Sequence, residues 1–101
     1  MKYVIHAYDA QDAQAPNRRM AARPAHLEGV KTLKANNQYV LGGALLNADG
    51  QMIGSMMVVE FETEESMQNW YKNDPYVVQN VWSNVNINTF RPAPVWEYNI
   101  N

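Results

Sequence analysis

The chain has 101 residues, 47% hydrophobic and 18% charged, with a net charge of -2 and no cysteine. That is the length of one domain with a modest core. The composition excludes a disordered chain, and the missing cysteine excludes disulfides, thiolate metal ligands and a cysteine nucleophile. The few basic residues form no stripe interleaved with aromatics, so nucleic acid is not an expected partner. No apolar run approaches the roughly 20 residues that span a bilayer. The opening Met1-Lys2-Tyr3-Val4-Ile5 lacks the long apolar stretch and small-residue cleavage site of a signal peptide, so no membrane association and a cytoplasmic location are expected.

Lys2 to Tyr8 alternates and is rich in aromatic and β-branched residues, which predicts a strand. Asp9 to Pro16 is polar and Ala-rich and reads as a loop. Asn17 to Ala35 reads as a helix interrupted at Pro24, which lacks an N–H and suits a first helical turn better than an interior. Either the helix starts near Arg23 or a short turn of helix precedes it. Asn36-Asn37 is the stop.

Gln38 to Leu46 is the second predicted strand. Asn47-Ala48-Asp49-Gly50 is a hairpin turn, because Asp-Gly tolerates positive φ. The third strand covers Gln51 to Glu62, and its run Met56-Met57-Val58-Val59 suggests burial on both faces. Thr63 is positioned to cap the next helix, with Glu64 and Glu65 in the first turn where the dipole favours acid. That helix reaches about Asn73, and Pro75 ends it or starts a separate turn. Ser83 to Arg91 is the fourth strand, with Val85, Ile87 and Thr89 alternating against Asn84, Asn86 and Asn88. Pro92 and Pro94 stop it. The domain is therefore residues 1–92, followed by a tail, 93–101, whose Trp96 and Tyr98 are candidates for covering a sheet edge or a second subunit.

The order strand, helix, strand, strand, helix, strand is the ferredoxin-like α+β arrangement, βαββαβ. Two helices cover one face of such a sheet. Yet strand one offers Tyr3, Ile5 and Ala7 on one side and Val4 and Tyr8 on the other. Strand three offers Ile53, Met57, Val59 and Phe61 against Met52, Met56 and Val58. A sheet apolar on both faces must be covered on both, and the chain has no segment to spare. A homodimer packed sheet to sheet is the expectation.

The chemistry-bearing residues fall in two stretches. At about 100° per residue, Arg19, Arg23, His26, Val30 and Leu33 lie within an arc of roughly 80°. A continuous helix would set two guanidinium groups and an imidazole on the stripe that also carries core residues. The plainer reading has the arginines reaching out at the helix rim and His26 as a satisfied, partly buried ring. In the second helix Met67, Trp70, Tyr71 and Asp74 share a stripe at i, i+3, i+4 and i+7. A carboxylate at a helix C-terminus meets an unfavourable dipole and calls for a nearby cation. His26, Arg23 and Arg19 are the candidates. The plainer reading of Asp74 is the start of an Asp-Pro turn.

Other signals are weaker. His6 and His26 have no metal-ligand spacing, so no metal is expected. Ser55, Ser66 and Ser83 lack the context of a serine nucleophile. Gly42-Gly43 lies within a strand, where it allows close backbone approach or a bulge rather than a phosphate-cradling loop.

Arg19-x-x-x-Arg23-Pro24-x-His26-Leu27, Gly42-Gly43-Ala44-Leu45-Leu46-Asn47-x-Asp49-Gly50, Ile53-Gly54-Ser55 and Asp74-Pro75-Tyr76 occur in this order over nearly the whole chain up to Pro92. Together they resemble the YciI-like (YCII-related) family. The resemblance implies a ferredoxin-like fold paired as a dimeric α+β barrel, and a His–Asp pair in a pocket. One relative is described as a dehydrochlorinase acting on a chlorinated hydroquinone. Carried over by position, the pair is His26 and Asp74, with Arg19 and Arg23 at the family's basic positions. Asn80 stands where the family often has Gly after Asp-Pro-Tyr, and Asn can also adopt the left-handed conformation.

The reading that follows is a small acid–base enzyme needing no cofactor. His26 would transfer the proton and Asp74 would orient its ring. Arg19 and Arg23 would hold a small anionic, phenolic or carboxylic substrate, with Tyr76 lining the pocket. Elimination, isomerisation or hydrolysis are the reaction classes. The alternative is a non-catalytic dimeric module for binding a small ligand or for scaffolding, in which His26–Asp74 is structural. A third is a cofactor-free or haem-linked monooxygenase of the related dimeric barrel type, whose haem form would have only His6 or His26 available.

Overall fold

The computed structural model describes residues 1–95. Seven elements follow in chain order: β1 (Lys2–Asp9), α1 (Ala15–Ala35), β2 (Tyr39–Leu46), β3 (Met52–Glu60), α2 (Glu64–Tyr71), α3 (Pro75–Val78) and β4 (Trp82–Phe90). The strands form one antiparallel sheet in the order β2-β3-β1-β4. This is the ferredoxin-like α+β arrangement, with α3 as an added single turn. The tail residues Trp96 and Tyr98 lie outside the described residues. Among the described residues no helix is long and apolar enough to cross a membrane.

Strand register decides which side chains face the helices. Tyr3, Ile5 and Ala7 of β1 pair with Val59, Met57 and Ser55 of β3 and with Thr89, Ile87 and Val85 of β4. These positions and the inner faces of the helices, through Ala22, Leu33, Met67 and Tyr76, make the core. Full burial of one such aliphatic or aromatic side chain contributes roughly 1.5–3 kcal/mol. The other face carries Val4, Met56 and Val58, and Leu41 and Phe90 extend it to the neighbouring strands. Leu41 and Phe90 are exposed. Among the described residues no helix covers this side, and with Pro92, Ala93 and Val95 it forms an apolar groove.

The local devices are those the sequence announces, with two exceptions. Thr63 caps α2 by accepting a hydrogen bond from the Ser66 N–H at 3.1 Å. Gly50, at φ 79°, closes the hairpin, and its N–H donates to the Asn47 carbonyl. Asn37 and Asn80 both adopt φ 58°, so Asn80 does make the left-handed turn otherwise given to Gly. The first exception is α1. It begins at Ala15, with Pro16 in its first turn, and runs unbroken through Pro24. Pro24 and Met20 are both exposed, so the carbonyl that loses its partner lies where water replaces it. The interruption expected at Pro24 is absent for that reason. The second is Asp74. It does not continue α2, which ends at Tyr71. It is the N-cap of α3, in extended conformation, with its side chain accepting from the Tyr76 N–H at 2.9 Å. The dipole it meets is therefore the favourable positive end of a helical turn, the reverse of the expectation.

A bulge in β2 shapes the region under α1. Tyr39 pairs with Val59 but Leu41 with Val58, so two residues of β2 span one of β3. The shift puts Tyr39 and Gly42 on the same face, and the Tyr39 hydroxyl donates to the Gly42 carbonyl at 3.0 Å. A Cβ at Gly42 would lie 2.9 Å from that hydroxyl and 3.0 Å from the Met56 carbonyl oxygen, so glycine is required there.

Candidate active site

The unbroken α1 places Arg19, Arg23 and His26 on one stripe, at i, i+4 and i+7. Arg19 and His26 are buried, 3% and 6% exposed, and Arg23 is half-buried. A buried charge is tolerated only when it is paired and hydrogen-bonded, and each of the two buried groups has its own partner from another element.

His26 meets Asp74. Its Nδ1 lies 2.9 Å and 3.1 Å from the two carboxylate oxygens. A carboxylate accepts hydrogen bonds, so the hydrogen sits on Nδ1 and the ring donates. Asp74 Oδ2 is fixed in addition by the Tyr76 N–H. The Tyr76 ring stacks on the imidazole, with centroids 3.9 Å apart and planes 12° from parallel. Trp82 approaches the same imidazole edge-on at 6.0 Å. The ring is thus oriented by one carboxylate and two aromatic neighbours. Nε2, on its other edge, forms no hydrogen bond among the described residues.

Arg19 meets Asp9 and Ser55. Nη1 donates to both Asp9 oxygens at 2.9 Å, and Nη2 donates to Ser55 Oγ at 3.0 Å. The guanidinium carbon lies 4.8 Å from the Tyr76 ring centroid. Burial pushes the Asp9 carboxyl up from its ordinary value, and the hydrogen bond and charge of Arg19 act against that rise. Burial likewise raises the Tyr76 phenol, which holds it in its protonated form. Here the structure departs from the sequence expectation. The terminal nitrogens of Arg19, expected to grip a substrate as a fork, are engaged by Asp9 and Ser55. Arg23 forms no hydrogen bond or ion pair among the described residues.

These groups border one hollow between α1 and the β2–β3 side of the sheet. Its cavity volume is about 90 Å³, or about 440 Å³ with the open space at its mouth included, and Arg19, Arg23, His26, Tyr76, Ser55 and Gly42 are among its walls. All five residues proposed from sequence thus converge, with His26, Arg19, Arg23 and Tyr76 on the hollow and Asp74 behind His26. Sequence reasoning missed Asp9, placed in a loop, and Ser55 and Trp82, whose hydrogen bond at 3.1 Å closes the back of the site. A signal for Asp9 existed, since an arginine on a buried stripe demands a carboxylate. Ser55 stood within the motif Ile53-Gly54-Ser55 without an assigned role, and Trp82 had no signal. Among the described residues no cluster of three or more His, Cys, Asp or Glu is arranged to hold a metal ion.

The YCII-related domain model matches residues 1–91. The chain belongs to the YCII-related family. It is 32% identical to the protein YciI of Escherichia coli O6:H1, over 90% of this chain and 97% of that one. It is 35% identical over 75 residues to derivative of benzaldehyde biosynthesis cluster protein C of Emericella nidulans, covering 67% of this chain and 74% of that one. Among solved structures it is similar to the 5-chloro-2-hydroxyhydroquinone dehydrochlorinase TftG of Burkholderia phenoliruptrix AC1100, described in complex with 2,5-dihydroxybenzoquinone. The TM-score there is 0.80 at 23% identity, covering 92% of this chain and 96% of that one. That likeness establishes a shared fold.

The two arginines are separable by experiment. Replacing Asp9 with Asn leaves the buried Arg19 charge uncompensated and is expected to cost about 3–5 kcal/mol in urea unfolding. Arg23→Ala, which breaks no such pair, is expected to stay within about 0.5 kcal/mol of the parent. Equal costs would contradict the division of labour described.

Proposed function

We propose that this protein is a cofactor-independent acid–base enzyme acting on a small anionic compound, with His26 and Asp74 as its proton-transfer pair. The observation that carries the reading is the buried 2.9 Å contact between His26 Nδ1 and Asp74 at the wall of an open hollow. An imidazole is the side chain whose ordinary titration lies nearest neutral pH. With Nδ1–H committed to Asp74, Nε2 is the atom left to take a proton from a bound substrate. The carboxylate then stabilises the imidazolium that forms, and the stacked Tyr76 ring keeps it in plane. Arg23, unpaired at the mouth, draws in the anion and orients it.

Elimination is the reaction class we favour. His26 Nε2 removes a proton, the electron pair left on the substrate forms the new double bond, and the leaving group departs as an anion. The TftG enzyme of the same fold is described as a dehydrochlorinase, which is an elimination of this kind. Isomerisation and hydrolysis use the same pair and are the neighbouring alternatives.

The second reading is a binding module without turnover. Its support is the engagement of Arg19 by Asp9, which resembles structural ion pairing more than a substrate clamp.

We propose further that two copies pack open sheet face to open sheet face. The support is the apolar groove lined by Val4, Leu41, Met56, Val58 and Phe90, in which Leu41 and Phe90 are exposed. Sedimentation equilibrium is expected to give twice the 11.5 kDa chain mass, and Val58→Asp is expected to give a monomer. A parent protein that sediments as a monomer would rule the pairing out.

Turnover tests the catalytic reading. Against a panel of phenolic and halogenated acids, His26→Ala and Asp74→Asn are each expected to lower kcat/KM by about 100-fold or more. Unchanged turnover in both removes the proposal. Binding of the same acids with no turnover in the parent protein favours the module.

A further inference from the structure

Ser55 lies in β3 on the helix-covered face, is 3% exposed and borders the hollow. Its oxygen accepts two hydrogen bonds, from Arg19 Nη2 at 3.0 Å and from Trp82 Nε1 at 3.1 Å. A hydroxyl has two lone pairs and one hydrogen. A guanidinium and an indole N–H can only donate. The two donors therefore occupy both lone pairs of Ser55. What remains is its own O–H, and among the described residues no acceptor receives it. Most serine hydroxyls switch between giving and taking a hydrogen bond, whereas this one is held as a donor.

A second, independent observation lies beside it. Arg19 Nε is buried and has no hydrogen-bond partner among the described residues. Buried donors are normally satisfied, and an orphan in a residue that borders a hollow calls for an acceptor from outside the chain. Asp9, whose two oxygens both take Nη1, makes no hydrogen bond to Nε. Two donors without acceptors thus belong to residues that are bonded to each other and that both border one hollow.

We propose that Ser55 Oγ–H and Arg19 Nε–H form an acceptor-selective subsite that binds a deprotonated oxygen, phenolate or carboxylate, and discriminates against the protonated form of the same ligand. The discrimination is set by Trp82. By filling a lone pair of Ser55, it denies a ligand hydroxyl at this subsite that acceptor, and leaving the hydrogen unpaired there is costly. Trp82 is then a positioning residue, acting on the ligand through Ser55. The inference rests on the hollow being the substrate site described above and specifies which ligand atom it holds.

The test uses 4-nitrophenol, whose ionised form absorbs visible light. In its presence the parent protein is expected to hold the phenolate band to a pH about one unit below that of the free compound, a tenfold preference for the anion. Ser55→Ala is expected to lose about tenfold in affinity for 4-nitrophenolate. Ser55→Thr, which keeps the hydroxyl, is expected to retain both affinity and shift, and it serves if the alanine variant does not fold. Trp82→Phe is the decisive variant. It frees a lone pair on Ser55, so binding of neutral 4-nitrophenol is expected to rise relative to the anion and the shift to shrink. A purely structural Trp82 would alter the unfolding curve and leave the shift alone. No shift in the parent protein, or an unchanged shift in folded Trp82→Phe and Ser55→Ala, overturns the proposal. The probe is bound and not turned over. Failure here is therefore read separately from failure of His26→Ala and Asp74→Asn, which report turnover.

Discussion

The site depends on α1 burying charged and titratable side chains on its core-facing stripe. A helix of this size would ordinarily present only apolar groups there. Arg19 and His26 occupy two of those positions, and each is tolerated because another element brings a partner to it. The end of β1 brings Asp9, β3 brings Ser55, and the first turn of α3 brings Asp74. Removing any partner leaves a polar group buried without compensation, which costs more than the pair itself contributes. The polar contacts therefore fix how α1 sits on the sheet, and the hollow is what that seating leaves open.

The two pairs divide the work. Arg19 has both terminal nitrogens engaged, by Asp9 and Ser55, and only its Nε lacks a partner among the described residues. His26–Asp74 is closed on one side only, because Nδ1 is held and Nε2 is not. Tyr76 joins the two, with its ring on the imidazole and beside the guanidinium while its N–H steadies Asp74. These contacts hold the imidazole in one orientation, which is the preorganisation the proposed proton transfer would use. The β2 bulge contributes at a distance by turning Tyr39 and Gly42 to the same side, where a glycine keeps the floor low.

Much of this was legible in the chain, and the residues show why the rest was not. Alternation in Lys2–Tyr8 and in Val85–Thr89, the Asp-Gly turn and the Thr63 cap are local codes, and each was read correctly. The stripe Arg19, Arg23, His26 was legible too, because helical periodicity is local. What a lone proline does depends on whether its orphaned carbonyl meets water, and that is a tertiary fact. Hence the continuity of α1 through Pro24 was misjudged. Asp74 admits two readings from sequence, the C-terminal end of α2 or the start of an Asp-Pro turn; the structure takes the second, which reverses the dipole expected from the first. Ser55 and Trp82 meet Arg19 only through sheet pairing and core packing between distant segments, and nothing in the spacing of either residue signals that meeting. The membership in the YCII-related family, carried by motif order, fixed the fold better than any of these local signals fixed the chemistry.

The central claim is that Asp74 holds the His26 ring in one tautomer, with Nε2 turned to the hollow. Long-range proton–nitrogen NMR of the imidazole, at a pH where the ring is neutral, tests it most directly. The expected result is a hydrogen on Nδ1, an unprotonated Nε2 whose resonance moves when a small aromatic acid is added, and an Nδ1 that stays put. A hydrogen found on Nε2, or an Nε2 resonance indifferent to every added acid, would contradict it.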